Sequence, residues 1–336
     1  MNALTKPHKI IFYTRAYNAE KTIRRTIDSV VNQTHSNWIY HILDNGSTDS
    51  TGEIILEYKE KDERIIAHRN KQNNVSEKGN SAWEIMQTYD ENNYICFIDA
   101  DDEYKPDFLE KLCPFISDVN LDIAVGGNDF INATSGQLTF VRKLNDAMIL
   151  ENETFGTHFP VYHQFMRTWW GKLFKISVMR KINLKQAREV SHGRDTLFTA
   201  ENFRNAARVG IYADSFYKYY VNPKTLSYNW DDKRINSDRI VHDSMINYLL
   251  DKVGFVSEEN KEFLFLVYFN AIKDTLEVLI NTQISDEKRI ECYRDIFTSR
   301  QSQELADFRF QKYQSSNEEK NELFEWFRRK FPDAGS

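Results

Sequence analysis

The stretch Tyr94-Ile95-Cys96-Phe97-Ile98-Asp99-Ala100-Asp101-Asp102 sets an apolar run directly against three carboxylates in four positions. The run is β-branched and aromatic and is bounded by polar turn residues, the pattern of a short buried strand. Two carboxylates about 4 Å apart repel by roughly 4 kcal/mol at an effective dielectric near 20. A cation or a raised pKa relieves such repulsion. Hard oxygen donors at the carboxyl end of a strand suit Mg²⁺ or Mn²⁺ carrying a phosphorylated ligand. Taken alone, the cluster reads equally well as a solvated turn with an N-cap for the helix after Pro106.

Upstream of this strand the chain alternates strand-like and helix-like segments. Lys9 to Thr14 reads as a strand, and Asn18 then precedes an amphipathic pattern through Ile23, Ile27, Val30 and Val31. Trp38 to Leu43 is a second strand closed by Asp44-Asn45-Gly46-Ser47, with helical periodicity following through Ile54, Ile55 and Tyr58. Arg64 to His68 reads as a third strand and Ser76 to Tyr89 as a helix. This β-α-β-α rhythm implies an α/β fold with a mostly parallel sheet covered by helices. Such sheets place ligands at the carboxyl ends of their strands, where Asp44 and Asp99 both fall.

Downstream, a helix is expected from Pro106 to about Ser117, then strands at 122–127 and 137–141. Residues 143–165, rich in Asn, His and Phe, read as an irregular lid or acceptor loop. Thr196 to Arg204 reads as a helix, and from about 232 onward the pattern is helical. Residues 307–330 mix aromatics with Arg328, Arg329 and Lys330, which suits either a helix packed on the body or a peripheral membrane contact.

The composition narrows the classes of function. A chain of 336 residues with 41% hydrophobic residues accommodates two domains or one domain with a helical extension. A net charge of −6 gives no electrostatic footprint for nucleic acid. Cys96, Cys113 and Cys292 are odd in number and lack CxxC spacing, which argues against a disulfide framework or a zinc site and for a reduced compartment. With no signal-peptide core near Met1 and no apolar stretch of about 20 residues, the expectation is a cytoplasmic protein.

Four segments appear in order: Thr14-Arg15-Ala16-Tyr17-Asn18, Ser29-Val30-Val31-Asn32-Gln33-Thr34, Asp44-Asn45-Gly46-Ser47-Thr48-Asp49 and Asp99-Ala100-Asp101-Asp102. Together they resemble the nucleotide-sugar half of family 2 glycosyltransferases, inverting enzymes with a GT-A fold. The resemblance covers about residues 8–228. It extends to Trp170-Gly171-Lys172-Leu173-Phe174, to Gly193-Arg194-Asp195-Thr196-Leu197-Phe198, and to Tyr217-Lys218-Tyr219-Tyr220-Val221-Asn222 with Thr225-Leu226-Ser227. The last of these is seen often in enzymes that build bacterial surface polysaccharides.

The resemblance implies a GT-A domain over 1–230, with a donor half to about 130 and an acceptor half beyond it, and a helical region over 231–336. It implies a nucleotide-diphosphate sugar donor, most simply UDP-linked, and a glycan or lipid-linked acceptor. Thr14, Ala16, Tyr17, Asn45, Lys78, Asp99 and Ala100 would contact the nucleotide. In that set Tyr17 stacks on the base, Asn45 accepts the uracil N3–H, and Asp99 reaches the ribose. Lys78 or Arg69 would supply positive charge to the diphosphate where relatives often carry an Arg at the position of Gly79. Asp101, with Asp102 nearby, would hold Mn²⁺ or Mg²⁺ against the charge building on the leaving oxygen. Asp195 would be the general base, with Trp170, Lys172 and Arg194 on the acceptor side. Arg194 stands where relatives commonly carry an acidic residue, and an adjacent cation is expected to lower the pKa of the base. His158, His163 and His192 lack metal-ligand spacing and read as polar contacts or core groups.

Two rivals stay open on the sequence. A sugar nucleotidyltransferase also combines a parallel sheet with metal carboxylates, but it would carry a glycine-rich loop where Tyr13 to Tyr17 has none. A non-catalytic glycan-binding or nucleotide-binding protein could retain the same fold.

Overall fold

The computed structural model describes residues 8–73, 81–222 and 229–312. Its ten strands are β1 Ile10–Ala16, β2 Trp38–Asp44, β3 Ile65–Arg69, β4 Tyr94–Phe97, β5 Glu103–Tyr104, β6 Ile123–Asn132, β7 Leu138–Arg142, β8 Met148–Leu150, β9 Lys172–Lys175 and β10 Val209–Val221. Between β1 and β6 run α1 Ile23–Val31, α2 Thr51–Lys61, α3 Ala82–Gln87 and α4 Phe108–Val119. Then come α5 Thr154–Thr157, α6 Phe159–Met166, α7 Ile176–Met179 and α8 Arg194–Asn205. The chain continues as four helices, α9 Arg234–Val253, α10 Glu258–Asn281, α11 Asp286–Thr298 and α12 Arg300–Lys312.

One sheet runs in the order β3-β2-β1-β4-β9-β6-β10-β5, with β7 added to β6 and β8 to β10. β3, β2, β1 and β4 are mutually parallel, as are β6 and β10, while β9 enters antiparallel between the two groups. The central strands are buried on both faces: Ile10, Ile11, Phe12, Ile95 and Cys96 have no exposed surface. That double burial explains why they read as continuous apolar runs rather than alternating ones. One face packs on α1, α2 and α4 through Ile23, Ile27, Ile55, Leu109 and Leu112. The other packs on α6 and α8 through Phe159, Tyr162, Phe165 and Phe203, and α9 adds Met245, Tyr248 and Leu249 to the same core. The face of α9 that follows the expected boundary near 231 is therefore continuous with the core beneath α8. A second cluster, including Phe265, Tyr268, Leu276 and Ile296, joins α10 to α11.

The first four strands fall within two residues of their expected limits. Residues 143–165 do not form an irregular loop. They fold as β8, α5 and α6, and Phe155, Phe159, Tyr162, Phe165 and Met166 are buried. The spacing of those residues is helical, and the polar residues among them obscured it. Lys78, Gly79, Thr225 to Ser227 and the basic aromatic tail from Tyr313 lie outside the described residues. Among the described residues no helix is long and apolar enough to cross a membrane.

Candidate active site

β1 and β2 end side by side, with Ala16 opposite Asp44, and the loops that leave them are laced together. Asn18 takes a left-handed backbone with φ of 49°. Its Oδ1 accepts from the Thr48 N–H at 2.9 Å, and its own N–H donates to Ser47 Oγ at 3.0 Å. Thr14 is buried and donates to the Ile98 carbonyl at 2.8 Å, which joins the end of β1 to the end of β4. Ala16 is buried, and its carbonyl accepts from the Asn45 N–H at 2.8 Å. Tyr17 stands clear of this lattice, 45% exposed just past the end of β1.

Asn45 has no exposed surface. Its side-chain carbonyl accepts from Asn70 at 2.8 Å, and its amide donates to Asn73 at 2.6 Å. The oxygen expected to read a nucleobase is thus engaged in holding the chain after β3. The adjacent Gly46 has φ of +79°, and a Cβ there would lie 2.4 Å from the backbone of Gln72, so only glycine fits the closure. Asp44 is buried, accepts from the Ser47 N–H at 2.9 Å, and lies 3.4 Å from Arg69 Nε. Arg69 itself remains largely exposed at the end of β3.

The acidic turn after β4 is held by its backbone and by one of its carboxylates. Thr22, just before α1, and Thr26 within it donate to the carbonyls of Ala100 and Asp102, each at 2.9 Å, and Arg25 donates to the carbonyl of Asp101. Asp102 is fully buried, accepting from the Tyr217 hydroxyl at 2.8 Å and from the Tyr220 N–H at 2.9 Å. Burial, then Asp99 and Asp101, pushes its carboxyl well above the usual range. Asp102 was expected beside a metal. Each of its oxygens accepts one hydrogen bond, which pins β10 to the turn. Asp101 is exposed, and among the described residues no side chain hydrogen-bonds to its carboxylate.

Asp99 and Asp195 come from different elements, and each lies within reach of the other's charge. Asp99 Oδ1 accepts from Trp169 Nε1 at 3.3 Å. Burial, reinforced by the charges of Asp195 and Asp101, raises Asp99 to about 7. Asp195 lies in the first turn of α8, where the helix dipole favours a carboxylate. Burial nevertheless raises it to about 6, opposed by Lys172. The expected lowering by Arg194 does not occur. Arg194 is exposed and turns back to donate Nε to the Val190 carbonyl at 3.0 Å. Desolvation therefore outweighs the neighbouring cation in the sequence.

Two acceptor-side expectations change. Trp170 is buried, stacked on Tyr217 at 4.4 Å and on Tyr219 at 5.1 Å, so it supports the sheet rather than facing a ligand. Its neighbour Trp169 reaches the site, lying parallel to Phe97 at 5.5 Å while bonded to Asp99. Lys172 is also buried and donates Nζ to the carbonyls of Thr168 at 2.7 Å and Trp170 at 3.1 Å. From this buried position its charge reaches Asp195. The tandem Trp169-Trp170 was visible in the sequence, but not which ring faces Asp99; a left-handed turn follows them at Gly171, where φ is +73°.

His163 is buried against Phe159 and Phe263, a core group with its pKa lowered to about 3 by burial. His158 precedes α6. His192 has a defined partner, Asp238 of α9, at 2.8 Å. Among the described residues no group of three or more His, Cys, Asp or Glu side chains is arranged to hold a metal ion.

Residues 13–182 match the sequence family described as Glycosyl transferase family 2. The chain is 27% identical to glycosyltransferase GlyA of Streptococcus pneumoniae over 262 residues, covering 73% of this chain and 36% of GlyA. It is 25% identical to the poly(ribitol-phosphate) beta-glucosyltransferase of Bacillus spizizenii over 299 residues, covering 85% of this chain and 44% of that protein. The chain thus spans less than half the length of these two relatives. Among solved structures, residues 1–349 of Staphylococcus aureus TarS in complex with UDP superpose with a TM-score of 0.57 at 16% identity. That match covers 90% of this chain and 87% of TarS 1–349, and it bears on the fold.

Proposed function

The chain belongs to glycosyl transferase family 2, and from that premise we propose that it is an inverting glycosyltransferase. It moves a sugar from a nucleotide-diphosphate donor, most simply a UDP-sugar, to a hydroxyl of a glycan or lipid-linked glycan. The observation that carries this reading is the meeting of Asp99, at the end of β4, and α8, which bears Asp195, around Trp169: its Nε1 donates to Asp99 at 3.3 Å and its ring packs edge-on to Phe198, one turn beyond Asp195, at 6.2 Å. UDP in the related fold of TarS and the name of the Bacillus relative, a poly(ribitol-phosphate) beta-glucosyltransferase, support a sugar transfer from a nucleotide donor.

In an inverting displacement the acceptor oxygen attacks the anomeric carbon as the bond to the diphosphate oxygen breaks. Asp195 takes the acceptor proton. A carboxylate raised to about 6 is still ionised at neutral pH, yet is a stronger base than an ordinary Asp. Trp169 fixes the orientation of the Asp99 carboxylate and leaves its second oxygen for the donor side. Tyr17 offers an exposed ring to the base, and Arg69 offers charge to the phosphates.

Asp101 and the spare oxygen of Asp99 would hold Mn²⁺ or Mg²⁺. Two carboxylates suffice when substrate phosphates complete the shell, which fits the absence of a preformed cage among the described residues. When bound, such an ion neutralises charge on the departing diphosphate. The direct test is a thermal-shift screen of UDP-, GDP-, CMP- and dTDP-sugars with and without Mn²⁺, followed by assay of nucleotide release with acceptor. A metal-dependent rise with UDP-sugars is expected. No shift with any nucleotide sugar, with or without Mn²⁺, would remove the reading.

A further inference from the structure

We propose that Trp169 is the platform on which the reacting sugar of the acceptor stacks, and that this sugar is a closed pyranose ring rather than an open-chain alditol. The proposal rests on the transferase reading and adds to it a residue that selects the acceptor.

The tandem Trp169-Trp170 divides into two roles. Trp170 is buried on Tyr217 at 4.4 Å and Tyr219 at 5.1 Å, so its anchorage is complete within the sheet. Trp169 lies parallel to Phe97 at 5.5 Å and meets Phe198 edge-on at 6.2 Å, yet its indole stays partly accessible. The turn that carries it is braced from three elements. Lys172 of β9 is buried and donates Nζ to the Thr168 carbonyl at 2.7 Å, the Thr168 hydroxyl at 3.2 Å and the Trp170 carbonyl at 3.1 Å. The three N–H groups of one ammonium thus close around Trp169 from both sides in sequence. Thr199 of α8 donates to the same Thr168 carbonyl at 2.9 Å, and the Tyr104 hydroxyl of β5 accepts from the Gly171 N–H at 3.0 Å. Burying an ammonium on neutral acceptors carries a desolvation cost that an apolar side chain avoids. Trp170, stacked on two rings, has no need of that brace. What the brace fixes is the partly open indole beside Asp99, the form of a preorganised ligand contact.

The chemistry of the ring selects its occupant. Nε1, the only polar atom of an indole, is spent on Asp99 at 3.3 Å. An uncharged ring with no free donor offers nothing to a diphosphate. Its π-face is electron-rich and attracts the polarised C–H bonds on the flat side of a pyranose. An alditol has no flat side to present. Phe198, which packs on the indole, stands one turn beyond Asp195 on α8. The ring is therefore lodged against the helix of the proposed base, and the acceptor is the substrate that the base must touch.

The test uses the full chain saturated with UDP, with methyl pyranosides (glucoside, galactoside, mannoside and N-acetylglucosaminide) and ribitol as probes. Saturation-transfer NMR should show transfer from the protein to the ring C–H protons of at least one pyranoside, and none to ribitol. Trp169→Phe keeps an aromatic face and should keep most of that binding. Trp169→Gln keeps an N–H for Asp99 without a ring, so its pyranoside affinity should fall about tenfold or more. UDP affinity, read by calorimetry, should stay at the wild-type level in both variants. No pyranoside binding to the wild type, ribitol binding as well as the pyranosides, or equal pyranoside affinity in Trp169→Gln would overturn the proposal. A matching loss of UDP affinity would overturn it too, because the ring would then serve the donor or the fold alone. Thermal midpoints check folding, and wild type labelled with fluorotryptophan gives a reading that needs no Gln variant. Its Trp169 resonance, assigned by its absence in Trp169→Phe, should move with the bound pyranoside and not with ribitol; a resonance that stays fixed with both overturns the proposal. Failure to bind UDP in the saturating step would instead count against the transferase reading, and leaves the pyranoside measurement interpretable.

Discussion

The Tyr217 hydroxyl donates to Asp102 at 2.8 Å and itself accepts from the Asp99 N–H at 3.2 Å, so one side chain of β10 fixes the acidic turn after β4. The ring beneath it is stacked on Trp170. Tyr217→Phe keeps the stack and removes the hydroxyl. It leaves a fully buried carboxylate oxygen and a backbone N–H without partners, a loss of about 1–3 kcal/mol. Urea unfolding should show the midpoint falling accordingly. An unchanged midpoint would mean that the bond contributes nothing net.

Asp195→Asn removes the proposed base while keeping size and burial. Transfer should fall by about 10²–10⁴, the usual worth of general-base catalysis, with UDP affinity retained. In the wild type kcat/KM should rise with pH through about 6, where Asp195 loses its proton. A variant with undiminished transfer would sink the assignment.

Asp99 and Asp195 are raised to about 7 and about 6, above their ordinary value of 3.8. Between those limits the folded state keeps protons that the unfolded chain has released, so their contribution to stability falls as pH rises from about 4 to about 7. His41, lowered to about 4 by burial and His68, acts in the opposite sense over an overlapping range. The prediction is therefore a difference. In EDTA, Asp99→Asn should be more stable than the wild type at pH 8 by about 1–3 kcal/mol, and the gap should close towards pH 4. A gap independent of pH would show that Asp99 is not strained by its surroundings.

The donor half was legible because doubly buried parallel strands write themselves as apolar runs, and because Asp44, Asn45 and Asp99 follow those runs directly. What lay beyond the sequence was decided by single turns and by partners far along the chain. Asp101 and Asp102 are neighbours of one type, yet Tyr217 and Tyr220 engage one and leave the other exposed. The left-handed turn at Gly171 accompanies the choice of Trp169 over Trp170. Arg194 adjoins Asp195 in sequence, but the cation that opposes its burial is Lys172 from β9. Burial in α6 was hidden for another reason: Asn152, His158 and His163 masked a helical spacing that the aromatic residues carried.

The loop that delivers Asp195 is held from α9, and this gives a final prediction. Gly193 has φ of +75°, and a Cβ there would lie 2.6 Å from Val241 Cγ2. One residue earlier, His192 Nε2 meets Asp238 at 2.8 Å, and Asp238 accepts from the Thr275 hydroxyl at 2.6 Å. Gly193→Ala therefore meets both backbone strain and a clash, together about 1–3 kcal/mol. Relief of that clash by movement of the loop would carry Asp195 with it. Transfer should then drop more than UDP affinity, because the proposed donor contacts lie at the ends of β1, β2 and β4. Adding Val241→Ala removes the clash but not the strain, so it should restore part of the lost transfer. Asp238→Asn, which weakens the hold on His192 without adding bulk, should lower transfer in the same selective way. Equal losses of transfer and UDP affinity in these variants would indicate general unfolding and would refute a specific link from α9 to the base.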